Sequence, residues 1–454
     1  MVTHTTDNTN RFFKAFTTAI NWNALFYILY KVCFVALTFV LYRILPSVYF
    51  SQWATANSVI FIFLLWINCG FKKSIPRFAP VFSKDYSFHR AFIIVLLLFK
   101  SSILLLGIPL LIKVLSWVSP DLPFLPLILG IFATEGLCSL FLLIYHAHFW
   151  QKQFNLIQAL FLLIEMIISF SYLAFSSGRP DAVVSFLFFA KLLSNCGIII
   201  SSLILLPSLY RATLIPPTQH LEKRLSVRAF IKHSLVMWVI AIFQSLSERN
   251  FLFPFITSIQ GQAIGNIFKV TNDAAIFFQR IALQTIGIAD TALLSYVEVT
   301  DKRISQIRLA FKMIFKTVFV LCMPLLCVGI VLFFKNYTDV PATSAFLFLF
   351  IATGTTLEII LSPYARVLEV KLCYKELFFS YFPYVLAYGA LALLYAYSFV
   401  SLVFFVSAAH VARIMCALIM VYYAKKDFRV QLPSFFTTLV LLSCLAALFA
   451  ALFV

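Results

Sequence analysis

Thirteen stretches of this chain stay apolar for about 20 residues or more, and that feature limits what it can fold into. They lie at 23–44, 50–71, 91–116, 125–149, 155–176, 182–209, 230–255, 262–296, 306–334, 342–365, 376–397, 399–424 and 432–454. A helix of that length crosses the hydrocarbon of a bilayer, whereas a membrane barrel would show alternating polarity. Only 11% of the 454 residues are charged, against about 25% in a soluble protein. A water-soluble fold of this size could not cover its surface with so few charges. Disorder is excluded by 53 phenylalanines, because disordered chains are polar and poor in aromatics. The expected fold is all-α, a polytopic membrane protein of about 13 transmembrane helices.

A net charge of +18 would point to nucleic acid in a soluble chain. Here the basic residues follow the connections between spans. One alternating set holds 24 of the 35 Lys and Arg, including Lys72, Lys73, Arg77, Lys84 and Arg90 before the third span and Lys425, Lys426 and Arg429 after the twelfth. The other set holds four: Arg43, Lys113, Arg179 and Lys335. Positive residues accumulate on the cytoplasmic side, so the N-terminus is expected there and nucleic acid is not an expected partner. The first twenty residues lack a signal-peptide cleavage site, and 1–22 reads as a cytoplasmic segment leading into the first span.

The longest polar connection, 210–229, contains Pro216 and Pro217 and follows the sixth span. It divides the chain into an N-lobe at 23–209, a C-lobe at 230–424 and an extra C-terminal helix within 425–454. A weak echo supports two parallel six-helix halves about a pseudo-two-fold normal to the membrane. Ala56-Asn57-Ser58-Val59-Ile60-Phe61-Ile62-Phe63 in span two resembles Thr271-Asn272-Asp273-Ala274-Ala275-Ile276-Phe277-Phe278 in span eight.

Seven basic residues remain inside spans: Lys31, Lys100, Lys191, Arg249, Lys269, Arg280 and Arg413. Their acidic counterparts are Glu135, Glu165, Glu248, Asp273, Asp290 and Glu358. Each costs at least ~2.5–3.5 kcal/mol at membrane depth, so it faces a polar cavity or a partner. At about 100° per residue, Asn266, Lys269, Asp273, Arg280 and Gln284 share an arc of roughly 60° on span eight. Lys269 and Asp273, four apart, can simply pair. Arg280 and Gln284 lack an acidic partner on the helix, which favours a polar cavity. Glu248 and Arg249 are adjacent, point about 100° apart and cannot satisfy each other well; headgroup snorkelling and gating both remain open. Lys31 and Lys191 need carboxylates on neighbouring helices, with Glu165 one candidate for Lys191.

No CxxC is present, and His146, His148, His233 and His410 lack metal-ligand spacing. They read as structural, and no metal is expected. No phosphate-binding loop, HExxH or GxSxG occurs, and the loops are too short for an outer catalytic domain.

LYRILPSVYFSQWATANSVIFIFLLWINCGFKKSIPRFAP (41–80) and SERNFLFPFITSIQGQAIGNIFKVTNDAAIFFQRIALQTIGIADTALLSYV (247–297) resemble the paired signatures of one transporter group. This is the polysaccharide transporter branch of the multidrug/oligosaccharidyl-lipid/polysaccharide exporters, the O-antigen-type flippases. Thirteen spans and only 12 glycines depart from its usual pattern. The resemblance implies a bacterial inner-membrane protein, not an enzyme, that moves an undecaprenyl-diphosphate-linked oligosaccharide to the outer leaflet for surface polysaccharide biosynthesis. The diphosphate would meet Arg280, Lys269, Lys31 and Lys191, with Gln284 and Asn266 beside them. Asp273, Glu248, Arg249 and Glu165 would couple or gate. No cofactor is called for beyond a coupling proton or sodium ion, and the partners are the lipid-linked substrate, membrane lipids and polysaccharide-assembly proteins. The alternatives are a cation-coupled drug antiporter of the same superfamily and, further off, a membrane polysaccharide polymerase or ligase.

Overall fold

Inside a bilayer each backbone N–H and C=O must be paired within the protein, which leaves helices for chains with long apolar runs. The computed structural model describes residues 3–82, 86–118, 124–175, 179–211, 226–246, 248–277 and 371–428, with separate positions between 347 and 369. Among them there is no strand. The helices are α1 (Thr3–Ile44), α2 (Ser47–Trp66), α3 (Phe71–Phe82), α4 (Tyr86–Val118), α5 (Leu125–Ala147) and α6 (Gln151–Phe175). After them come α7 (Pro180–Arg211), α8 (Val227–Ser245), α9 (Arg249–Gln260), α10 (Gln262–Ala275), α11 (Tyr374–Ala396) and α12 (Leu402–Phe428). Nine spans among the described residues are long and apolar enough to cross a membrane. They correspond to the expected spans one to seven, eleven and twelve; the ninth and thirteenth lie outside the described residues. The chain is a multi-pass, all-α membrane protein.

Two local features differ from the sequence reading. The expected loop after span two contains α3, FKKSIPRFAPVF. Its prolines and basic residues read as a connection, yet Phe71, Ile75, Phe78 and Phe82 recur at helical spacing and all are buried. The expected seventh span is broken into α8 and α9. The chain turns through Glu248, whose amide donates to the Ser245 carbonyl at 3.0 Å and whose carbonyl accepts from Phe251 and Leu252.

The chain divides into two compact units, the first holding described residues up to Ala241 and the second those from Ile242 onward. In the first, rings from α3, α4 and α8 form the base of the core. Phe230 packs against Phe78 at 5.6 Å and Phe92 at 5.3 Å between ring centroids. Such aromatic pairs contribute about 0.5–1.5 kcal/mol each beyond area burial. Gly70, at φ +73°, lets the α2–α3 turn meet α8: a Cβ there would lie 2.0 Å from the Ser234 carbonyl oxygen. Trp238 donates its indole N–H to the Trp66 carbonyl beside it. Side chains such as Leu106 and Ile204 point outward, 78% and 71% exposed, as a lipid-facing surface requires.

In the second unit α9 and α10 form a tight hairpin through Gly261, whose φ of +84° a side chain would strain. α11 and α12 form another hairpin, closed by Tyr395 stacked on Phe405 at 4.7 Å.

Candidate functional site

Each unit gathers some of its in-span charges into a cluster. In the first, the Lys191 ammonium on α7 lies 3.0 Å from Glu135 Oε2 on α5 and donates to Asn57 Oδ1 on α2 at 3.3 Å. Asn57 in turn donates to the Trp53 carbonyl at 2.8 Å, which fixes its amide. Asn195, one turn beyond Lys191, donates to Thr134 Oγ1 at 3.2 Å. Glu165 on α6 stands within electrostatic reach of both Lys191 and Glu135. Four helices therefore converge on one cation and two carboxylates. Glu135 is the direct partner of Lys191 and Glu165 the second carboxylate. About a third of the Glu135 side chain stays exposed, so the cluster is only half-buried.

Lys31 is buried on α1 and lies 5.4 Å from the Tyr30 ring and 5.8 Å from Phe34, close enough for cation–π attraction. Lys100 on α4 is fully buried, and its Nζ has no hydrogen-bond partner among the described residues.

In the second unit Lys269 and Asp273 pair across one helical turn at 3.3 Å, each side chain 2% exposed. The pairing that their i,i+4 spacing allows is thus made, and the Phe253 ring lies 5.7 Å from the ammonium. Asn266, on the same stripe, is buried. Arg280, Gln284 and the side chain of Arg249 lie outside the described residues. Glu248 is held by Arg413 of α12 at 3.7 Å, and the same guanidinium meets Glu358 at 2.6 Å. Nearby, Gln244 donates its amide to the Tyr381 hydroxyl.

The histidines make buried polar contacts. His89 and His148 share a hydrogen bond between Nε2 atoms at 3.0 Å, and His146 approaches Asn155 at 3.4 Å. Among the described residues no three His, Cys, Asp or Glu side chains come together as metal ligands.

The sequence reading passed over Arg413 and Glu358 as site residues, because nothing local joins them.

No protein-family model matches the sequence, and no curated protein matches it as a relative. Its fold is similar to solved transporters. One is an outward-facing multidrug resistance transporter of the MATE family in the MOP superfamily, with a TM-score of 0.58 and 12% identity over 90% of this chain and 94% of that one. A MATE protein in complex with MaL6 gives 0.57 and 12% over 90% and 95%. A MOP-superfamily transporter from Pyrococcus furiosus, whose binding pocket is described as having reverse polarity, gives 0.55 and 11% over 90% and 95%. At these identities the likeness is one of fold.

Proposed function

We propose that the protein is a flippase that carries a lipid-linked oligosaccharide diphosphate from the cytoplasmic to the outer leaflet by alternating access. The observation that carries this reading is the charge balance of the first unit. Away from the span ends, its described residues set Lys31, Lys100 and Lys191 against Glu135 and Glu165. Charge at membrane depth is costly, and a lining richer in ammonium than in carboxylate suits an anionic headgroup. An organic cation would need the opposite balance. Arg280, Lys269, Lys31 and Lys191 then contact the diphosphate, with Gln284 and Asn266 beside them, and arginine suits phosphate through its planar fork. Glu165 and Asp273 are the coupling carboxylates for a proton or sodium ion, while Glu248 and Arg249 gate. The protein sits in a bacterial inner membrane with a cytoplasmic N-terminus, acts without chemistry on its cargo, and works beside polysaccharide-assembly proteins.

A second reading, a cation-coupled drug antiporter, is favoured by one contact. Lys269 is neutralised by Asp273, so that part of the stripe is less cationic than its sequence implies. Complementation separates the two. In a strain lacking its own flippase, the protein should restore surface polysaccharide for at least one sugar unit of a panel. Failure across the panel at normal membrane levels, with a gain in resistance to organic cations, would favour the antiporter.

A further inference from the structure

The clusters of the two units repeat one design. Glu135 and Lys191 are 56 positions apart, and Glu358 and Arg413 are 55 apart. Lys191 stands eleven positions after the first residue of α7 and Arg413 eleven after that of α12. In each half, by the expected span order, a cation on the sixth helix meets a glutamate on the fourth, at 3.0 Å in the first and 2.6 Å in the second. The difference is the third partner. In the first unit it is Asn57, on a helix that pairs its own amide internally. In the second it is Glu248, at the turn between α8 and α9. The halves also differ in their first helix: α1 runs unbroken from Thr3 to Ile44, whereas its counterpart is broken between Ser245 and Arg249. Each cation also has a second carboxylate, Glu165 for Lys191 and Glu248 for Arg413, and in the second unit that carboxylate sits at the break.

We propose that Arg413 is a positioning residue that latches the α8–α9 break to the fourth- and sixth-helix positions of the second unit, and that releasing it frees α9 and α10 to move as one hairpin. The hairpin is suited to this. Its helices pack through Gly265, where a Cβ would lie 2.1 Å from Thr257 Oγ1, so they move together. At its root Leu246 and Glu248 lie outside any helix, where a hinge rotation can be absorbed. Of the two contacts of Arg413, the one to Glu248 is longer by about an ångström and is the one to open first. α10 carries Asn266, Lys269 and Asp273, so the latch sets where that stripe stands. The inference holds for any cargo.

Hydrogen–deuterium exchange on the purified full-length protein, without cargo, tests it. Arg413→Gln should speed exchange of peptides within 249–277 about tenfold while leaving 374–396 within twofold of the native protein. The charge swap Arg413→Glu with Glu358→Arg, which leaves Glu248 facing a carboxylate, should not restore the slow exchange, whereas Arg413→Lys should restore part of it. Should Arg413→Gln fail to fold, Glu248→Gln removes only the contact at the break and should give the same selective acceleration. Unchanged exchange over 249–277, or equal acceleration over 374–396, would overturn the latch.

Discussion

Lys191→Met should lower transport about a hundredfold, the equivalent of ~2.7 kcal/mol. Among the described residues the ammonium is the one cation paired with Glu135, at 3.0 Å. Removing one partner of a buried pair costs about 3–5 kcal/mol, and the partial exposure of this pair brings the cost toward the low end. Glu135 and Glu165 would then repel each other without a cation between them. Two measurements separate stability from function. Membrane abundance should fall in Lys191→Met and recover in Lys191→Met with Glu135→Gln, because the second change removes the stranded charge. Transport should recover in neither. Normal transport by Lys191→Met at native abundance would make the cluster a bystander.

Gly70→Ala should reduce the folded protein in the membrane tenfold or more, about 1.4 kcal/mol at the least. Two independent costs fall on this residue. Its φ of +73° is left-handed, which costs a side-chain-bearing residue roughly 1–2 kcal/mol. The new Cβ would also lie 2.0 Å from the Ser234 carbonyl oxygen and 2.9 Å from the Trp238 amide nitrogen. Both neighbours are backbone of α8, which no rotamer change can move aside. Quantitative blotting of membranes, with thermal unfolding of the purified remainder, reads the effect. A variant with native abundance and an unchanged midpoint would show that α2–α3 and α8 are not so closely apposed.

The spans were legible because a bilayer demands long uninterrupted apolar runs, and α2, α5, α6, α11 and α12 begin and end within a few residues of the expected limits. α3 was hidden because Lys72, Lys73, Pro76 and Pro80 carry the signals of a connection, while its apolar face is only four residues repeated at helical spacing. The break at Glu248 falls in the polar run QSLSERN (244–250), and it was hidden because the apolar Phe251, Leu252 and Phe253 beyond that run extended the expected span past it. In the site, the Lys269–Asp273 pair could be read directly, since both partners lie on one helix four residues apart. The partner of Lys191 could not. Glu135 and Glu165 lie on two different neighbouring helices, and only packing makes Glu135 the direct contact. Arg413 is the extreme case, because its two carboxylates come from two separate segments far away in sequence. The repeated spacing of 56 and 55 positions was visible in the sequence, but it acquires meaning only once one of the two pairs is seen to touch.

The most direct test of the proposed cargo is movement of a fluorescent undecaprenyl-diphosphate oligosaccharide across vesicles reconstituted with the purified protein, followed with a membrane-impermeant quencher. Protein-dependent transfer is predicted, falling about tenfold in Arg280→Ala, the loss expected of one charge-assisted phosphate contact. Transfer no faster than in protein-free vesicles, together with protein-dependent movement of an organic cation under an ion gradient, would contradict the flippase.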